Sequence, residues 1–286
     1  GSNLKLEIIS SIAVEVFFII SGFVLASQIL KITKSGGKKD YKTFLMRRWY
    51  RTIPLYVLSL ILTSIILNKI FTVDFIKYLF FVQNFQKILV NIDYFSISWS
   101  LSVEEWFYII FPLFLIFSSK LLNNINEKKI ILLTILFIII IFTLRLLLTN
   151  DDDWGLNVRR IVLFRLDSIA FGFILFFFRD KIKPIASSLI ILFMFFILFS
   201  ISLFKIMEIN ALNNILFFKI IFHFVVAIWG SLMVIIFYVL DKKLRNNNLI
   251  NLNLFLGKMS YSIYLFHLMT IYLISPLNFS LELNIL

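Results

Sequence analysis

Residues 99–112 read WSLSVEEWFYIIFP and place two adjacent carboxylates, Glu104 and Glu105, at the entrance of an otherwise apolar helical run. Ser102, three residues before Glu105, fits a capping box, in which hydroxyl and carboxylate satisfy the free N–H groups of a helix start. A carboxylate in a first turn also gains from the helix dipole, so both glutamates have a structural explanation available. Glu104 has more than that. Glu104, Tyr108 and Pro112 recur at four-residue spacing on one helix face, and Pro112 deprives the Tyr108 carbonyl of its helical partner. A polar, bent stripe of this kind suits a substrate that carries a hydroxyl.

Other residues with chemical potential are few. Glu15 sits about seven residues into the first apolar run, roughly 10 Å along a helix rising 1.5 Å per residue. An ionisable group at that depth is costly and marks function if it faces protein or water, unless residues 8–12 lie at the interface. Arg48 and Arg51 share one helix face, with Arg47 in reach of the same turn. Guanidinium groups match phosphate oxygens in paired geometry; the plain alternative is snorkelling anchorage. Arg165 and Asp167, near Arg145 in depth, suit a structural ion pair, since each alone would be costly in hydrocarbon. His267 is a candidate base, although a lone histidine on an apolar helix more often donates to a nearby carbonyl; His223 is a weaker candidate still. Ser21-Gly22 in FFIISGF reads as packing, a place for a neighbouring backbone to come close.

The elements that must position these residues are membrane helices. The chain of 286 residues is 60% hydrophobic, 17% aromatic and only 15% charged, with mean hydropathy +0.96, whereas soluble domains carry about a quarter charged residues. Without any cysteine, disulfides, thiolate metal sites and cysteine nucleophiles are excluded, and no metal set is evident. Apolar runs near 8–30, 53–70, 103–119, 130–149, 161–178, 185–204, 215–240 and 254–275 predict about eight spans. The net charge of +12 sits in short loops, where it sets topology; nucleic acid is discounted as a partner. If 71–98 is a re-entrant or interfacial excursion on the outer side, 17 of the 28 Lys and Arg lie in inner segments (31–51, 120–129, 179–183, 241–245) and 8 in outer ones. A full crossing at 71–98 would spoil that bias. The expected class is therefore all-α, a polytopic helical bundle embedded in membrane lipid and forming a single domain over 1–286. Oligomeric state is not legible.

Five blocks in order, AVEVFFIISGFVL (13–25), RRWYRTIPLY (47–56), WSLSVEEWFYIIFP (99–112), RLDSIAFG (165–172) and GKMSYSIYLFH (257–267), resemble the successive signatures of the acyltransferase-3 family, multi-pass proteins of the bacterial inner membrane. The resemblance implies transfer of an acyl group, commonly acetyl, from cytoplasmic acyl-CoA as co-substrate to a hydroxyl of a surface or lipid-linked glycan, with no bound cofactor. On that reading Arg48 and Arg51, with Arg47, hold coenzyme A phosphates. Glu104 and Glu15 act from the outer half, Glu105, Tyr108, Arg165 and Asp167 orient or support, and His267 is a subsidiary candidate for catalysis. Family members usually begin with a helix bearing an arginine and the histidine regarded as catalytic, and many add one more span at the end. This sequence starts just before the family's second helix, so such a helix is expected upstream. A transporter or flippase of a lipid-linked glycan, or an inactive membrane module, are the alternatives.

Overall fold

The structure, a computed structural model, describes residues 2–90, 94–122, 125–149, 153–179, 192, 194–196, 198–202, 214–243 and 247–274. Its helices are α1 (Ser2–Ser35), α2 (Lys38–Ile66), α3 (Val73–Leu79), α4 (Ser98–Leu121), α5 (Glu127–Leu148), α6 (Leu166–Phe178), α7 (Leu216–Lys243) and α8 (Asn247–Ile274). No strand occurs among the described residues. Five helical segments there are long and apolar enough to cross a membrane: Ile8–Ser35, Lys38–Ile66, Ser98–Leu121, Glu127–Leu148 and Leu216–Val239. The expected span at 161–178 is shorter than it reads, because 155–159 form a π turn and 162–164 a 3₁₀ turn before α6 begins. The run at 185–204 falls mostly outside the described residues.

The basic stretch 31–51 is not a loop. α1 runs to Ser35 and α2 begins at Lys38, since Lys, Arg, Leu and Met are good helix formers. Only Gly36 and Gly37 turn the chain. Gly36 takes φ 60° and donates its N–H to the Ile32 carbonyl at 2.9 Å, a left-handed helix cap that glycine adopts without steric cost. Residues 71–98 contain no crossing helix among those described. Thr72 caps the short α3 by accepting from the Phe75 N–H at 3.2 Å, and the segment folds over the end of α2. Phe81 there adopts φ 57°, an unfavourable conformation for a bulky residue. Its ring stacks on Tyr56 at 4.4 Å and its carbonyl accepts from Trp106 Nε1 at 2.8 Å.

α1 is the central strut, packed against α4, α6 and α7, while α2 carries α3 and α8 along its flank. The tightest crossing joins α1 to α6. A Cβ built on Gly22 would lie 1.9 Å from the Ile169 carbonyl oxygen, and one on Gly172 would lie 1.9 Å from that of Ile19. The two backbones touch at reciprocal glycines, as small residues permit in membrane bundles. We expect Gly22→Ala or Gly172→Ala to force the helices apart and lower stability by about 1–3 kcal/mol, the usual range for overpacking. Gly257→Ala, where an added Cβ meets nothing within 4 Å, should leave unfolding of the detergent-purified protein unchanged.

Candidate active-site cavity

α4 starts at Ser98, about one turn earlier than a capping box at Ser102 requires, with Ile97 at the cap and no acidic residue in its first turn. Ser102 instead donates to the Ser98 carbonyl at 3.2 Å and accepts from Gln83 Nε2 at 2.5 Å. The reading of Glu104 and Glu105 as helix-start residues is thereby corrected. Both lie inside the bundle at 5% exposure, and they point to different partners because successive helical residues diverge by about 100°. Glu104 Oε1 accepts from Ser21 Oγ of α1 at 2.5 Å, and the Tyr108 hydroxyl stands 3.4 Å from the same Ser21 oxygen. Glu105 faces α2, accepting from Trp49 Nε1 at 3.0 Å and Thr52 Oγ1 at 2.9 Å.

Ser100, Glu104 and Tyr108, one stripe of α4, line a cavity of about 440 Å³. Arg48 and Arg51 enter it from α2, Tyr261 and Tyr264 from α8, and Phe17, Ile20 and Val24 supply an apolar wall from α1. Arg48 is half-buried and Arg51 exposed, and neither guanidinium has a hydrogen bond or ion pair with the described residues. The Arg48 charge interacts electrostatically with Glu104, Glu105 and Tyr108. Cations and carboxylate therefore line one chamber. The tyrosines of α8 hold the far wall: Tyr264 donates to the Ile97 carbonyl at 2.8 Å and lies 2.7 Å from Ser100 Oγ, while Tyr261 donates to the Thr52 carbonyl at 2.8 Å.

Besides Glu105, five expected site residues stand outside the cavity. Arg47 is exposed and does not line the cavity, because it lies about 100° around α2 from Arg48. His267 is exposed, with Nδ1 2.6 Å from the Tyr264 carbonyl, an interaction satisfied on its own helix. Glu15 is fully buried in a second polar centre, ion-paired to Arg165. There Arg145 pairs with Asp167 at 2.5 Å and donates to the carbonyls of Phe164 and Ile220, so Asp167 partners Arg145 while its neighbour Arg165 reaches α1. His223 stacks on Trp154 at 5.4 Å, with Nδ1 3.9 Å from Glu15 Oε2. None of these residues lines the cavity. The second centre satisfies the Phe164 carbonyl, which the 3₁₀ entry to α6 leaves without a helical partner. The sequence context of Ser21, Trp49, Thr52, Ser100, Tyr261 and Tyr264 does not mark them as cavity or positioning residues; the i, i+3 spacing of the two tyrosines is the available signal.

A helical bundle with segments long and apolar enough to cross a membrane, and with a carboxylate, hydroxyls and guanidiniums around one chamber, defines a multi-pass membrane protein with a polar cavity. The chain belongs to the acyltransferase-3 family, matching its acyltransferase domain over residues 1–286. It is similar to O-acetyltransferase OatA of Staphylococcus aureus strain NCTC 8325 / PS 47, at 33% identity over 121 residues, 37% of this chain and 20% of that protein. OatA of Staphylococcus aureus strain COL matches over the same extent, also at 33%. The similarity thus covers about a fifth of the length of these relatives. No solved structure matches the chain.

The buried pairs carry a stability consequence. Asp167→Ala leaves the buried Arg145 charge without its carboxylate and should lower the unfolding free energy by about 3–5 kcal/mol, whereas Arg145→Met combined with Asp167→Leu removes both charges and should recover part of it, the Phe164 and Ile220 carbonyls losing their donor. Denaturant unfolding of the purified protein reads both values.

Proposed function

We propose that this chain is the membrane-embedded part of an O-acyltransferase of the bacterial inner membrane, moving an acetyl group from cytoplasmic acyl-CoA to a hydroxyl of a cell-surface or lipid-linked glycan. The observation that carries this reading is the shared cavity, in which Arg48 and Arg51 stand beside the Ser21–Glu104–Tyr108 cluster with no hydrogen-bond or ion-pair partner among the described residues. Family membership supports acyl transfer, and the O-acetyltransferase names of the relatives support acetyl and an oxygen acceptor.

Coenzyme A presents a pyrophosphate and a ribose phosphate, and two guanidiniums three residues apart on one helix match such oxygens in charge and geometry. A volume of about 440 Å³ falls within the range of small-ligand pockets, about 300–1,000 Å³. With the phosphates on Arg48 and Arg51, the thioester extends toward Glu104. The acceptor hydroxyl oxygen bonds to the thioester carbonyl carbon as Glu104 takes its proton. The developing oxyanion meets the Tyr108 O–H, a buried donor on the same wall. The carbon–sulfur bond then breaks, and the departing thiolate takes up the proton. Ser21, donating to Glu104 Oε1, fixes the carboxylate's direction.

Acetyl-CoA consumption by membranes containing the full-length protein and a glycan acceptor tests the assignment. Arg48→Ala and Arg51→Ala should raise KM for acetyl-CoA about 10- to 100-fold, the scale of one or two charge-assisted hydrogen bonds. Glu104→Gln should lower kcat about 10²- to 10⁴-fold, as expected for loss of a general base. Unchanged turnover in all three variants removes these roles, and absence of turnover in the parent protein favours transport of the glycan instead.

A further inference from the structure

We infer that Glu105 is a positioning residue: through Trp49 and Thr52 it sets the rotation of α2 that keeps Arg48 and Arg51 in the cavity. Trp49 and Thr52 each immediately follow one of the two arginines, so the two pairs share a three-residue spacing and lie about 100° apart around α2. When one pair is held against α4, the direction of the other is determined. Glu105 holds the first pair with both of its oxygens, Oε2 from Trp49 Nε1 and Oε1 from Thr52 Oγ1.

α2 needs such a restraint at this level. Pro54 lies inside the helix, lacks an N–H and leaves the Tyr50 carbonyl without its partner. Thr52 Oγ1 also lies 3.0 Å from the Arg48 carbonyl, so Glu105 and that carbonyl share its one proton. The interrupted turn thus coincides with the arginines. α2 touches α4 sparingly compared with the α1–α6 crossing; among the described residues the other ties near this level are Tyr41 Oη to the Ile109 carbonyl at 3.3 Å and the Phe44 ring edge-on to Tyr108 at 6.2 Å. A carboxylate with two acceptor oxygens can take both donors at once. A glutamine can keep both contacts as well, because its oxygen accepts from Trp49 and its amide donates to Thr52 Oγ1 while that hydroxyl turns to the Arg48 carbonyl. Alanine keeps neither.

The chain has no cysteine, so Arg48→Cys provides a unique thiol whose orientation can be read in membranes with a charged methanethiosulfonate reagent. Introducing Glu105→Ala should slow modification about tenfold or more, while Glu105→Gln should stay within about threefold of the parent, the difference corresponding to roughly one hydrogen bond to a charged group. Trp49→Phe, which leaves the carboxylate in place and removes one donor, should fall between them; gel filtration of each variant verifies that it is folded. Equal rates in all backgrounds overturn the inference, as does a Glu105→Gln rate as slow as that of Glu105→Ala, which would assign the effect to charge. With Arg48 intact, Glu105→Ala should raise KM for acetyl-CoA about tenfold with kcat within about threefold, and a fall in kcat at unchanged KM also overturns it. This kinetic arm rests on the acyl-CoA reading. If the parent protein shows no acetyl-CoA turnover, that reading fails while the thiol rates still decide the role of Glu105.

Discussion

The contact of Gly22 with the Ile169 carbonyl, mirrored by Gly172 against Ile19, fixes how α1 is turned inside the bundle. Once that face is committed to α6, the directions of all other α1 side chains follow from the helical period. Glu15 and Phe18 lie on the committed side, where Glu15 meets Arg165 and the Phe18 ring lies 5.7 Å from the Arg165 guanidinium carbon. Ser21 is one step around, facing α4 and Glu104. Phe17, Ile20 and Val24 take the remaining side and become the cavity's apolar wall. A larger residue at either glycine would shift both polar centres together, although neither glycine touches a charged group.

Those centres solve different problems in the same solvent-poor interior. Arg165 and Glu15 are closed on each other, and Arg145 on Asp167 and on stranded carbonyls. Such pairing suits groups whose task is to hold the irregular entry to α6. At the cavity Glu104 and its neighbour Glu105 are held by neutral hydroxyl and indole donors, and the arginines have no acceptor among the described residues. Neutral partners leave carboxylate and guanidinium charge free to act on something that enters. Ion pairing explains why Glu15, although deeper and more costly to bury, belongs to the scaffold.

The helical class, the membrane character and the close approach at Gly22 were legible because they depend on composition and on local side-chain size. The rest failed where tertiary packing overrides local pattern. Ser102 and Glu105 satisfy a capping-box spacing, yet Gln83 from the segment before α4 binds Ser102 and lets the helix begin at Ser98. Arg165 and Asp167 invite pairing with each other or with Arg145, but the choice of Glu15 for Arg165 needs a partner 150 residues away. Ser21 appears as packing in the sequence because nothing local reveals that α4 brings a carboxylate to its hydroxyl. Arg47 appears equivalent to its neighbours until the phase of α2 is known.

Adjacent glutamates on one helix cannot serve the same cavity, since they point about 100° apart; this divergence is what makes the pair useful. A single carboxylate in the chamber would have its position defined by α1 and α4 alone, leaving the turn of α2 that bears the arginines without a side-chain anchor on α4 at that level. The second carboxylate ties α2 to the very turn of α4 that bears the first. Glu104 is set by Ser21 and Glu105 by Trp49 and Thr52, so consecutive residues lock three helices into one register. The distance between acid and guanidinium is then governed by one rigid turn of α4, although the two groups come from segments more than 50 residues apart. Bringing a phosphate-bearing donor and a hydroxyl acceptor to reacting distance requires that kind of fixed spacing.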